Sequence, residues 1–173
     1  MAGEVQPRRT TRPRRPAIGE RLAGFIYGTI VVLAVLVAGA RAFPDDTGRI
    51  AAMVLVTSVV FWLAHVYAHG LAHSVAHDEH LSLADLQRIG RREGSVVEAA
   101  VPPLVALLLG VFGVVSTNTA VWAAFGLGLV VLGAQGIVFA RVERLGWAGT
   151  LGVVAANLAL GIALVALKVF VTH

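Results

Sequence analysis

The residues best equipped for chemistry lie between positions 65 and 80, in the stretch HVYAHGLAHSVAHDEH. His65, His69, His73 and His77 recur at every fourth position, and His80 follows three residues later. On an α-helix each four-residue step overshoots one turn by about 40°, so the four fan across about 120° while climbing about 18 Å. His80 returns to the middle of that fan, and successive members meet side by side. Two imidazoles so spaced can chelate a first-row metal, as in the HExxH arrangement of zinc proteases. Here Val66-Tyr67-Ala68 separates the first pair. The glutamate that serves those enzymes as a base is missing, so a protease is excluded.

Imidazole and carboxylate donors suit Zn, Fe, Mn, Ni or Co and do not choose among them. With Glu98 as the partner carboxylate, the expected metal set is His65, His69, His73, His77 and Glu98. Binding there should weaken as pH falls through about 6.5, where imidazoles ordinarily protonate. Two other uses of the ladder stay open. Stacked histidines can sense or relay protons, and histidines at a helix end can simply interact with its carbonyl dipole.

The ladder must be carried by something, and composition says what. The chain has 173 residues, of which 57% are hydrophobic and 14% charged, and its mean hydropathy is +0.81. These values belong to lipid-embedded chains. A helix needs about 20 apolar residues to cross a hydrocarbon core of about 30 Å. Five such runs are present, roughly 22–40, 50–72, 96–115, 120–140 and 147–167. The expected fold is therefore all-α, a polytopic bundle of five transmembrane helices over residues 18–173. Residues 1–17, rich in Arg, Pro and Thr, form a basic tail with too little apolar surface to order itself.

Charge sets the expected orientation. The sequence pI is about 10.6, which suggests nucleic acid until the cations are placed on the topology. With the N-terminus in the cytoplasm, Arg8, Arg9, Arg12, Arg14, Arg15, Arg21, Arg88, Arg91, Arg92, Arg141 and Arg144 lie inside. Only Arg41, Arg49 and Lys168 lie outside, as the positive-inside rule requires. Anionic lipid, not nucleic acid, is the expected partner of the tail. Ala38-Gly39-Ala40 resembles a signal-peptide cleavage site, but the preceding apolar run of about 19 residues exceeds the usual 7–15, so the segment reads as a retained span. With no cysteine, disulfides and thiolate metal sites are excluded.

Within these spans, local signals give further expectations. Gly24 and Gly28 form a GxxxG pair that admits a neighbouring backbone. Asp46 or Thr47 caps the second helix, which should run on to about Ala76. SLADLQRIGRRE reads as a short amphipathic helix on the cytoplasmic surface. Ser95-Val96-Val97-Glu98 has the form of a capping box in which Glu98 reaches back to the Ser95 amide. Pro102-Pro103 should then kink the third span about two turns in. Depth along the helices suggests a polar track from His77 and Asp78 through His69, Glu98, His65 and Gln135 to Asn157, the kind of feature that marks ion pathways.

FWLAHVYAH, EAAVPP and NLALGIALVALKVFVTH together resemble segments of small multi-pass membrane proteins of actinobacteria, which implies a plasma-membrane location and no particular activity. The layout, five spans with an amphipathic segment between the second and third, also looks like that of the vacuolar iron transporter family. That resemblance implies export of Fe or Mn from the cytosol against protons. Tyr27-Gly28 stands where the family has Asp-Gly, and His73, His77, Asp78, Glu79 and His80 stand in place of its carboxylate-rich cytoplasmic segment.

No Walker loop, dinucleotide fingerprint, nucleophile elbow or CxxCH motif is present, so no enzyme is expected. An enzyme acting on lipid would have only Glu98 and the histidines as acid and base groups. The reading with most chemistry behind it is a plasma-membrane protein that moves or senses a divalent metal, with no resident cofactor identified. The rival is a membrane scaffold that pairs with a second copy or another membrane protein through Gly24, Gly28 or Gly133. A homodimer with the site near its interface would suit a bundle this small.

Overall fold

The computed structural model describes residues 15–77 and 82–171. They form seven helices in chain order: α1 Arg15–Ala42, α2 Thr47–His77, α3 Leu83–Arg92, α4 Ser95–Glu98, α5 Val101–Val111, α6 Thr117–Val142 and α7 Trp147–Val171. Four of these contain segments long and apolar enough to cross a membrane: Arg21–Ala42, Thr47–Ala72, Thr117–Val142 and Trp147–Ala166. A fifth candidate is the pair Leu83–Glu98 and Val101–Val111, bent by 54° at the break between them.

The α1–α2 turn is built by Asp46, whose carboxylate accepts the Arg49 amide at 2.9 Å and pairs with the Arg49 guanidinium at 3.1 Å. Asp46, not Thr47, is thus the cap. Thr47 is buried, and its methyl would lie 2.9 Å from a Cβ placed on Gly110. The end of α5 therefore reaches the start of α2, and Ala120 brings the start of α6 to the same point. The core between them holds Leu33, Leu36, Ile50, Val54, Leu107, Phe125 and Leu132, all essentially inaccessible.

The third apolar run departs from expectation in three ways. It is two helices and not one kinked helix, because the chain breaks at Ala99-Ala100 and Pro102-Pro103 fall in the first turn of α5. Amides there have no intrahelical partner, so proline costs nothing and a new helix starts on it. Its end also comes early. Gly113, at φ 70°, closes α5 with Val114 N–H donating to Leu109 O and its own N–H to Gly110 O, a left-handed cap that favours glycine. Finally, the capping box does not form. Gly94 precedes α4, no side chain caps it, and both Glu98 oxygens instead accept from one guanidinium nitrogen of Arg21 of α1, at 2.9 and 3.1 Å. Glu98 is thus turned toward α1 and away from the Ser95 amide.

The GxxxG pair of α1 admits a close neighbour as expected, and that neighbour is α4 of the same chain. A Cβ at Gly24 would sit 2.7 Å from Ser95 Oγ, and one at Gly28 would sit 2.8 Å from the Val96 carbonyl. Buried Ser95 and Val96 fill the space that the glycines leave.

Candidate functional site

α3 is amphipathic as read, with Asp85, Arg88, Arg91 and Arg92 on its polar side, and Ser82 caps it by accepting the Asp85 amide. It does not lie free on the surface. Trp62 of α2 donates its indole N–H to the Gly90 carbonyl at 2.9 Å. A Cβ at Gly90 would come within 3.2 Å of the same indole, so a larger residue would have to push the ring aside by a few tenths of an ångström. This clamp folds α3 back against α2 and brings the end of α3 opposite α1.

The result is a cleft of about 450 Å³ lined by Ala23, Gly24 and Tyr27 of α1, His65 and His69 of α2, and Ile89, Arg92 and Glu93 from the end of α3. His65 Nδ1 lies 2.9 Å from the Phe61 carbonyl, and His69 Nδ1 lies 3.0 Å from the His65 carbonyl. A carbonyl can only accept, so in each ring Nδ1 carries the hydrogen and the neutral imidazole keeps its lone pair on Nε2. The two rings stack at 6.3 Å between centroids. Tyr27 closes the inner side, 5.6 Å from His65 and 6.1 Å from Phe61.

The carboxylate of the cleft is Glu93. Its side chain is 18% exposed, and one oxygen lies 3.7 Å from His69 Nδ1. That is too long for a hydrogen bond, and the contact is an ion pair only when the imidazole is protonated. Glu98, chosen from the sequence for this role, is on the neighbouring element and is held by Arg21. Among the described residues, the polar track is not gathered in this cleft either. Asn157 donates to the Leu132 carbonyl at 3.2 Å, a bond between α6 and α7, and Glu98, Gln135 and Asn157 are not among the residues that line the cleft.

The side chains of His73 and His77, and all of Asp78, Glu79 and His80, lie outside the described residues. Among the described residues no three His, Asp or Glu side chains form a group that could hold a metal ion. The chain matches no known family model, no curated protein and no solved structure.

Ile89, Arg92 and Glu93 were not singled out as site residues from the sequence. The signal available for them was Gly90, an unexplained glycine inside a short amphipathic helix, which marks a close approach. Tyr27 could be found through its place one residue before Gly28.

Proposed function

We propose that this multi-span membrane protein takes up a divalent transition-metal ion in the cleft between α1, α2 and α3, with His65 and His69 as nitrogen donors and Glu93 as the oxygen donor. One observation carries the reading: both imidazoles give their Nδ1–H to a backbone carbonyl. Metal-binding histidines nearly always make this second bond, because it fixes the ring and leaves Nε2 free to ligate. His73 and His77 follow on the same helix at the same spacing in the sequence, and their side chains lie outside the described residues. Glu98 leaves the ligand set, being the counter-ion of Arg21.

In this proposal the chain crosses the plasma membrane five times with its N-terminus in the cytoplasm, which puts the cleft at the cytoplasmic face. The reach of α5 to Thr47 supports counting α4 and α5 as one crossing. Arg21, Arg88, Arg91 and Arg92 cluster at the cleft end, in keeping with the positive-inside rule. The scaffold reading loses support, since Gly24 and Gly28 are already covered by α4 and Gly133 faces Leu158 of α7.

Calorimetric titration of the detergent-purified protein with Zn, Fe, Mn and Ni tests the assignment. Wild type is expected to bind at least one of them, and the double variant His65→Ala/His69→Ala to lose that heat. Identical isotherms would remove the metal claim.

A further inference from the structure

We infer that the chain pairs with a second copy of itself along the C-terminal half of α6, where Gln135 of each copy hydrogen-bonds to Gln135 of the other. The inference is independent of the metal reading and of the cleft. It starts from how α6 is covered. Ala120, Ala124 and Gly128 are buried in its first half, with Ala120 beside Gly110 of α5 and Gly128 beside Leu33 of α1. Leu132, Gly136 and Ala140 are buried in its second half, where Gly136 meets Val154 and Asn157 of α7. The covered stripe thus winds from α1 and α5 round to α7, by about 40° for each step of four residues.

Nothing takes over the side it leaves. α5 starts at Val101, nine residues before Gly110, so its antiparallel packing follows α6 only to about position 129. Before Val101 the chain turns away by 54°. Val138 lies about five whole turns beyond Ala120 and so has the same azimuth, yet it is 43% exposed where Ala120 is buried. Val131, Gln135 and Val142 beside it are half-buried. These four stand at i, i+4, i+7 and i+11, the spacing of a seam along which two helices interlock. One polar residue in such a seam fixes the register and number of helices.

Gln135 also says what occupies the seam. Thr29, Ser58 and Asn157 of the same bundle each bond to a backbone carbonyl, whereas Gln135 makes no hydrogen bond among the described residues. Its amide reaches the surface of the chain, because no fully buried side-chain nitrogen or oxygen is left unpaired among those residues. It lies inside the apolar span Thr117–Val142, six residues or about 9 Å before Arg141, out of reach of the headgroups. An unpaired amide in hydrocarbon is costly, and acyl chains offer it no partner. A second copy does, since a primary amide both donates and accepts and its positive N–H end fits the negative carbonyl end of an identical group. Two copies inserted in one direction and related by a twofold axis along the membrane normal put equal residues at equal depth. Gln135 then meets Gln135.

The chain has no cysteine, so single introduced thiols report the contact. In membranes, mild oxidation should crosslink Val138→Cys to itself and leave Ile162→Cys, on an exposed part of α7, as monomer. Energy transfer between donor- and acceptor-labelled copies in phosphatidylcholine vesicles, followed across protein-to-lipid ratios, measures the strength. Gln135→Leu, which suits hydrocarbon and removes no bond within the chain, should weaken association by about threefold or more, the effect of interhelical polar bonds in membranes. Gln135→Asn keeps an amide and should weaken it less. Equal association in wild type and Gln135→Leu, or crosslinking of Ile162→Cys in preference to Val138→Cys, would overturn the inference. A wild-type chain that stays monomeric at every ratio would overturn it too and leave lipid as the cover of the seam.

Discussion

A glutamate after two arginines at the end of a short helix has no reason, on sequence grounds, to be chosen over one in a capping-box pattern. Yet Glu93 stands beside His69 and Glu98 beside Arg21. The two positions can be told apart directly. Glu93→Gln should weaken metal binding by about tenfold or more, because it removes the charged oxygen donor. Glu98→Gln should leave binding unchanged and cost little stability, since the Arg21 pair is exposed on both sides and exposed pairs contribute about 0–1 kcal/mol. Titration of both variants checks this, and a larger loss in Glu98→Gln would reverse the assignment. The histidine spacing was legible because it depends only on helical pitch. The carboxylate was not, because it depends on how α3 docks.

That docking is an element-scale property in which the Trp62 hydrogen bond to Gly90 takes part. Trp62→Phe keeps most of the ring and removes the hydrogen bond to Gly90, a loss of about 0.5–1.5 kcal/mol. Hydrogen exchange should then rise across residues 83–92 while the long helices stay protected; unchanged exchange there would mean that α3 is held some other way. The α1–α4 contact predicts a sharper contrast. Gly28→Leu drives a side chain into the Val96 backbone and should lower stability in detergent by about 1–3 kcal/mol or more. Gly152→Leu, where a Cβ would meet nothing within 4 Å, should be near neutral by thermal unfolding. The sequence announced the amphipathic α3 through its period and the close approach through GxxxG. It did not announce the partner of that approach, or that two prolines would begin a helix and not bend one, because both depend on where Ala99-Ala100 lets the chain turn.

For the molecule as a whole, apolar length identified the long helices, and only the third run needed the structure, since Gly113 ends α5 before the run itself ends. The absence of cysteine makes topology easy to probe with single introduced thiols. With five crossings and an inward N-terminus, Asp45→Cys and Asn118→Cys should react with an impermeant maleimide on intact cells, and Glu143→Cys only after lysis. Asn118→Cys reacting only after lysis while Glu143→Cys reacts on intact cells would mean that α4 and α5 do not cross. Protons compete with a metal for imidazole and carboxylate donors, so any metal held there should be retained better at pH 7.5 than in acid. The most direct test of the metal assignment is elemental analysis after dialysis of the whole purified chain against Zn or Mn at pH 7.5. Close to one ion per chain in wild type, and little or none in His65→Ala/His69→Ala, is the predicted outcome. Equal metal content in the two proteins would contradict it.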